Sequence, residues 1–372
     1  MNKAADCMVH SLYKTIVLVV AMVATLLLVL GYVSYWVPIH LSSLLPFMGL
    51  IFPFVYLGNV VISPLLFFSW RKLFFAQVIL LVLGLPFVTN YVQLDGGRDD
   101  LKESQGNFKL MTWNVNLMGY NQVNRQVEME SNVVRDSMIA EIAKKSPDVL
   151  AFQEFLQTPK QNHISLIKKR LGMPYHHVRF SHAKSGRRKS GVVMFSKLPI
   201  VNSGYVPFTG KTNNFCIFID VKKGEDTLRI YNVHFQSIRF QMKDYDVIDS
   251  QKEEKQGWYR IVDKMQRAYA QREGQVHIVK QHTKDCTYPF WIVGDFNDPP
   301  QSYTYHTMSA GMNDSFTEAG WGMSSTYVGR FPNFRIDYIL SPQEKWRTIQ
   351  YEVPAVNWVD HRPVFAEFAD EE

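Results

Sequence analysis

The side chains able to do chemistry in this chain come in short groups at the ends of strand-like runs. The richest is Trp291–Asp298, Trp-Ile-Val-Gly-Asp-Phe-Asn-Asp. Trp291, Ile292 and Val293 continue the apolar run of Tyr288, Pro289 and Phe290, as a strand covered on both faces does. Gly294 lets the backbone turn, and Pro299 and Pro300 stop the strand. Side chains alternate along an extended chain, so Asp295 and Asn297 present a carboxylate and an amide on one side. Taken alone, the segment also reads as an Asx-rich turn closing an ordinary strand.

The pattern repeats along the chain. Phe108–Asn116 is a strand run that ends with Asn114 and Asn116 on one side, and Asp148–Glu154 is another that ends in a carboxylate beside Phe155. Carboxylates at strand ends are the hard oxygen ligands that magnesium or calcium takes. Leu228–Phe235 carries His234, which alone would read as a satisfied core histidine. Phe334–Leu340 sets Asp337 in an apolar context, and Asp360 and His361 precede the last strand. An imidazole whose second nitrogen is held by a carboxylate is the general-base arrangement.

Other segments must position these groups. Val133, Val134, Met138, Ile139, Ile142 and Ala143 predict a helix within Glu128–Lys145, and Phe215–Val221 joins Leu228–Phe235 through a turn at Gly224. Between His234 and Asp295, Trp258, Ile261, Val262, Met265, Ala268 and Tyr269 fall at helical spacing. The basic residues of that helix, Arg260, Lys264, Arg267 and Arg272, read as a solvated face in preference to one resting on lipid headgroups. His182–Lys189 is the densest positive run and reads as either a solvated loop or the lip of a phosphate site. Cys7, Cys216 and Cys286 form no metal-ligand pattern. Cys216 reads as a buried thiol, although an oxidising compartment would permit a Cys216–Cys286 bridge.

Composition is split along the 372 residues. Net charge is +6, which does not announce nucleic-acid binding, and the apolar excess lies in the first quarter. No Asp, Glu, Lys or Arg occurs between Lys14 and Arg71. Thr15–Val37 and Leu44–Trp70 are long enough to span a bilayer, and a shorter third span follows Arg71 and Lys72 and ends at Leu94. Pro46, Pro53 and Pro64 are expected to kink the second span. No ionisable residue lies inside a span, and a transporter or sensor would need polar groups there. Lys3, Lys14, Arg71 and Lys72 put the amino terminus on the cytoplasmic side and everything after Leu94 outside, periplasmic in a Gram-negative cell. The expected organisation is a tail over 1–14, a three-helix anchor over 15–94, a linker over 95–106 and a catalytic domain over 107–372.

Thr-Trp-Asn-Val-Asn, Phe-Gln-Glu, Asn-Val-His, Gly-Asp-Phe-Asn, Arg-Ile-Asp-Tyr and Asp-His-Arg-Pro occur in that order. The set resembles the endonuclease/exonuclease/phosphatase family from Asn107 to Glu372. The resemblance implies an α/β fold, a DNase I-like four-layer sandwich of two mainly antiparallel sheets with helices outside, here preceded by three transmembrane helices. It implies that Glu154, Asn114 and Asp360 hold Mg2+ or Mn2+. His361, oriented by Asp337, would activate water or protonate a phosphate oxygen. Asp295 and Asn297 would position the nucleophile, His234 would be a phosphate ligand or general acid, and Asn116, Lys184, Arg187 and Arg188 would meet substrate phosphate. Many nucleases of the family have Asp where this chain has Asn116. The implied activity is a metal-dependent phosphodiesterase of endonuclease type tethered to the bilayer, with nucleic acid or a phospholipid headgroup as substrate and no obligate protein partner. A sphingomyelin or phospholipid phosphodiesterase, an inositol-phosphate-type phosphatase and a non-catalytic membrane-anchored binding module are the alternatives.

Overall fold

A computed structural model describes residues 3–94, 107–119, 131–181, 189–210, 212–250, 255–329 and 333–370. The expected linker over 95–106 and the basic loop residues Lys184, Arg187 and Arg188 lie outside the described residues. The chain forms two compact units: Met1–Tyr91 with Pro299–His306, and Val92–Asp298 with Thr307–Glu372.

The first unit is helical: α1 (Lys3–Val33), α2 (Leu45–Ser69), α3 (Arg71–Leu83) and α4 (Leu85–Val88). Helix α1 starts at Lys3, so the expected tail is mostly the first turns of this helix. Two stretches, Cys7–Val33 and Leu45–Ser69, are long and apolar enough to cross a membrane. Helix α2 runs unbroken through Pro53 and Pro64, and Pro46 sits in its first turn, where a missing N–H costs nothing. The third expected span is instead two pieces, a 13-residue and a 4-residue helix that part at Gly84. Pro86 cannot donate to the preceding turn. The Tyr32 and Tyr56 hydroxyls cap the break by donating to Leu80 O at 2.9 Å and Leu81 O at 2.8 Å. A Cβ on Gly84 would lie 2.1 Å from the Tyr32 hydroxyl, so a larger residue there would displace that tyrosine from its cap. The helices also carry buried amides that their apolar composition hides: Gln77 Nε2 donates to Asn59 Oδ1 at 2.9 Å, and Asn59 Nδ2 donates to Ala24 O and Val55 O. This corrects the expectation that the spans lack polar groups. Within the same unit, the buried Gln301 side chain donates to Gly31 O at 2.9 Å.

The second unit contains, in order, β1 (Val92–Gln93), β2 (Phe108–Asn114), α5 (Ser131–Lys145), β3 (Val149–Gln157), α6 (His163–Leu171), β4 (Tyr175–Phe180), β5 (Lys189–Ser196), β6 (Ile200–Val206), β7 (Phe215–Lys223), β8 (Asp226–His234), α7 (Met242–Ser250), α8 (Lys255–Lys284) and β9 (Phe290–Asp295). After α9 (Tyr303–Ser309) follow β10 (Met312–Asp314), α10 (Ser315–Ala319), β11 (Gly322–Met323), β12 (Asp337–Pro342), β13 (Trp346–Glu352) and β14 (Val364–Asp370). Two six-stranded sheets form, in the orders β10-β12-β9-β8-β7-β6 and β13-β14-β2-β3-β5-β4, and β1 pairs with β11. Each large sheet is antiparallel except for one pair, β8–β9 in the first and β2–β3 in the second. A parallel pair points two carboxyl-terminal strand ends the same way, and the antiparallel neighbours β12 and β14 bring their amino-terminal ends to the same edge.

Strand alternation sorts the core. Phe108, Leu110, Val149, Ala151, Ile217, Ile219, Leu228, Ile230, Trp291, Val293 and Ile339 fill the space between the sheets. Met111, Trp113, Leu150 and Phe152 point the other way and pack with Val134, Met138, Ile142 and Ile167 of α5 and α6. Each fully buried side chain of this size contributes about 1.5–3 kcal/mol. Helix α6 starts on Asn162, whose side chain accepts from Ser165 N, and stops at Gly172 with φ 64°. Cys216 is buried, and neither it nor Cys286 is bridged. The expected basic face of α8 is absent as such. Arg260 and Lys264 pair with Asp244, Arg267 pairs with Asp263, and Arg272 is buried.

Candidate active site

Following the inter-sheet rows toward the shared edge, apolar residues give way to amides and then to ionisable groups. Thr112, Gln153 and Asn232 form the amide layer: Gln153 Nε2 donates to Thr112 Oγ1 at 2.9 Å and to Asn232 Oδ1 at 2.7 Å. Asn232 Nδ2 in turn donates to Phe152 O and Val193 O, which ties the sheets together. Two residues further along the strands stand Asn114, His234 and Asp295, with Asp337 directly opposite Asp295 in the β9–β12 register. The alternation that buries Leu110, Ile230, Val293 and Ile339 therefore aims these side chains into the same gap.

Their contacts form one network. Asn114 Nδ2 donates to Asp295 Oδ2 at 3.0 Å, and Asn297 N donates to Asp295 Oδ1 at 2.8 Å. His361 Nδ1 donates to Asp337 Oδ2 at 2.9 Å, which leaves Nε2 at 3.9 Å from Asp295 Oδ2. His234 Nε2 lies 3.7 Å from both Glu154 Oε1 and Asp295 Oδ2 and has no hydrogen-bond partner among the described residues. Asn116 Nδ2 donates to Asp360 Oδ1 at 2.8 Å, and its N–H donates to Asn114 Oδ1 at 3.1 Å. Expected residues Asn114, Asn116, Glu154, His234, Asp295, Asn297, Asp337, Asp360 and His361 are thus brought together.

The backbone is strained where the site needs it. Glu154 (φ 51°), Asn297 (φ 56°) and Asn116 (φ 37°) all sit at positive φ. Glu154 lies in the β3–β5 irregularity between Phe152 and Phe155, which turns it out of the pleat. Gly294 has φ 128°, and a Cβ there would lie 2.1 Å from Val233 O, so β8 and β9 meet closely only with glycine.

Electrostatics separates the groups. Burial, with Asp337 alongside, pushes Asp295 up to about 6 against the pull of both histidines and Asn114. Burial lowers His234, aided by His361 and Arg239 and opposed by Asp295 and Asp337. Burial also works against a charged His361, but Asp337, Asp295 and Asp360 outweigh it and hold the imidazolium well above its usual range. Glu154 is raised by burial and by the Asp360 carboxylate, with His361, Asn114 and Arg239 opposing.

Two sets of donors could meet a cation. Asp295, Asp337 and His361 each offer an atom within 4.8 Å of the others, but the Asp337–His361 hydrogen bond already uses that corner. Glu154 and Asp360 repel one another beside the Asn114 amide, and a hard dication would relieve that repulsion, so these oxygens fit Mg2+ or Mn2+.

Several supports escaped the sequence reading. Gln153 and Asn232 belong to quoted motifs but carry an amide layer that residue type alone does not announce. Thr326 Oγ1 accepts from Ile336 N and Asp337 N, and Trp113 Nε1 donates to His361 O at 2.9 Å. Exposed Arg239 is held by Asn214 Oδ1 at 3.1 Å, near enough to Glu154 and His234 to shift both.

The sequence profile of the Endonuclease/Exonuclease/phosphatase family matches residues 111–360, more than half of the chain. The chain belongs to this family. A second profile, a domain of unknown function (DUF8431), matches residues 14–91. No curated protein matches. Among solved structures, an endonuclease/exonuclease/phosphatase from Beutenbergia cavernae DSM 12333 has a TM-score of 0.52 at 16% identity over 72% of each chain. The human Nocturnin catalytic domain with bound sulfate anion has a TM-score of 0.52 at 15% identity over 73% of this chain and 97% of that one. At such identities these two support the fold alone. Its two mixed sheets are of the DNase I-like kind, and the family match makes it a hydrolase of this family, whose members typically use a divalent metal.

Proposed function

We propose that the chain is a metal-dependent phosphodiesterase of endonuclease type, held at a membrane by its apolar helices with the catalytic unit on the extracytoplasmic side. The observation that carries the chemistry is the buried Asp337–His361 pair facing Asp295. Phosphoryl transfer needs positioning and charge neutralisation more than covalent chemistry by the protein. Asp295, ionising near neutrality, takes a proton from the attacking water, and Asn297 fixes that carboxylate through its main-chain N–H. His361, kept cationic by Asp337, donates from Nε2 to a phosphoryl oxygen. His234 Nε2 meets a second oxygen. Glu154, Asn114 and Asp360 would hold Mg2+ or Mn2+, and the bound ion would supply charge neutralisation at the phosphate. Arg239, with the loop residues Lys184, Arg187 and Arg188, supplies cations for substrate phosphate, and the Asn116 amide is committed to Asp360.

A phospholipid or sphingomyelin phosphodiesterase is the second reading, favoured by the two apolar helices that would keep the catalytic unit near headgroups. Full-length protein in detergent should be assayed with Mg2+ and with EDTA on plasmid DNA, RNA, sphingomyelin, phosphoinositides and a chromogenic phosphodiester, beside His361→Ala. Cleavage of one class, lost in EDTA and in the variant, supports the reading and names the substrate. Metal-independent cleavage, or full activity in the variant, sinks it.

A further inference from the structure

Helix α8 places one arginine where no charge belongs without a purpose. Arg272 is fully buried on the same stripe as Met265, Ala268, Tyr269 and Val276. Its Nε donates to Gln236 O at 3.0 Å, its Nη1 lies 2.6 Å from Asp298 Oδ2, and the guanidinium stands 4.9 Å from the Tyr269 ring centre. One turn later, buried Gln275 accepts the Gln236 N–H through Oε1 at 2.8 Å. A single helical turn thus takes both main-chain groups of Gln236 and the carboxylate of Asp298. Gln236 lies two residues beyond His234, and Asp298 follows Asn297.

Those two exit segments are also joined to each other. Phe235 N donates to Asp295 O at 3.0 Å, and Phe235 O accepts from Asn297 Nδ2 at 3.1 Å and from Asn214 Nδ2 at 2.7 Å. Asn297 sits at φ 56°, a conformation that its surroundings must enforce. Burying a guanidinium is costly unless it is paired, and a solvated salt bridge would serve stability as well at less cost. What burial adds is a rigid planar cation set between the main-chain carbonyl of one exit segment and a carboxylate of the other, a shape that an ammonium cannot copy.

We propose that Arg272 and Gln275 are positioning residues, a clamp that holds the ends of β8 and β9 so that His234, Asp295 and Asn297 face one reacting phosphate. This rests on the hydrolase reading for its effect on rate. Neither residue touches substrate, so loss of the clamp acts on kcat and leaves KM nearly alone.

The test uses full-length protein in detergent and three variants: Arg272→Lys, Gln275→Leu, and the double change Arg272→Met with Asp298→Leu, which removes both buried charges and so guards against simple misfolding. With the phosphodiester, Arg272→Lys should lower kcat roughly 10²-fold, as a displacement of about 1 Å does, with KM within about threefold. Combining it with Asn297→Ala should cost less than the product of the two single losses, since both act through the same segment. Hydrogen exchange at the Phe235, Gln236 and Asn297 amides should speed up in all three variants while the inter-sheet strands stay protected. Unchanged exchange at those amides overturns the clamp whether or not the protein is active. Faster exchange with unchanged kcat overturns its positioning role. Wild-type protein that cleaves no phosphoester instead sinks the hydrolase reading, and exchange alone then decides whether the clamp exists.

Discussion

The two units each bury a glutamine bonded to an asparagine, in the same geometry but with different consequences. In the sandwich, Gln153 Nε2 donates to Asn232 Oδ1 at 2.7 Å, and Asn232 Nδ2 spreads over two main-chain carbonyls. In the helical unit, Gln77 Nε2 donates to Asn59 Oδ1 at 2.9 Å, and Asn59 Nδ2 likewise spreads over two carbonyls. Even the leftover acceptors match, since Oε1 of both glutamines has no hydrogen-bond partner among the described residues. What differs is the neighbouring layer. Above Gln153 and Asn232 stand Asn114, His234 and Asp295, whereas the helical pair ties α1, α2 and α3 together. A buried polar pair fixes register in either unit; it becomes the base of a site only where titratable groups continue its rows.

If so, the largest effect belongs to the titratable layer. His361→Ala should lower kcat by about 10²–10⁴-fold, the usual worth of a positioned acid or base. The phosphodiester assay at saturating Mg2+ checks it, with melting temperature as the control for folding. A variant within tenfold of wild type would mean that the Asp337–His361 pair is a structural bond like the two amide pairs.

Next is the pH dependence of stability. Asp295 is pushed up to about 6 when folded, so below an unfolded value of about 3.9 both states hold its proton, and between the two values only the folded state does. Stability therefore falls as pH rises through that window and levels off above it, a loss of up to about 3 kcal/mol. Melting in EDTA from pH 4 to 7 should show the midpoint of Asp295→Asn gaining on wild type as pH rises to about 6. Parallel curves would mean that the burial of Asp295 is relieved in solution.

Much of this was legible in residue order. The apolar runs within Phe108–Asn116, Asp148–Glu154, Leu228–Phe235 and Trp291–Asp298 mark the strands, and the polar residues at their ends mark the candidate site. Three things were hidden for physical reasons. The third expected span carries no charge, and only Gly84 with Pro86 marks the break. Gln153, Asn232, Asn59 and Gln77 sit inside apolar runs, where an amide's partner lies on another element and cannot be read locally. Charge alone puts Arg272 on a solvated face, whereas its spacing after Met265, Ala268 and Tyr269 puts it on the buried stripe. There periodicity was the better witness.

The sandwich pair itself should matter less than the layer above it. Gln153→Leu leaves Asn232 Oδ1 and Thr112 Oγ1 without their donor, which costs about 1–3 kcal/mol. Melting should fall by several degrees, and kcat should fall by about tenfold because Glu154 loses the support beneath it. A lowered midpoint with undiminished kcat would separate the amide layer from the site.

The smallest effect is expected in the helices. Gln77→Leu removes the donor to Asn59 Oδ1; with the helices in a bilayer, as proposed, the unfolded helices also find partners for their amides, so the expected loss is about 0.6 kcal/mol and at most about 1.7. Thermal unfolding in detergent should register that shift, while kcat and KM stay at wild-type values, because no titratable group extends this pair's rows. Should kcat fall as far as in Gln153→Leu, the likeness between the two pairs would run deeper than their geometry. The helices would then have to be counted among the elements that set the catalytic geometry, and the difference drawn from the neighbouring layers would fail.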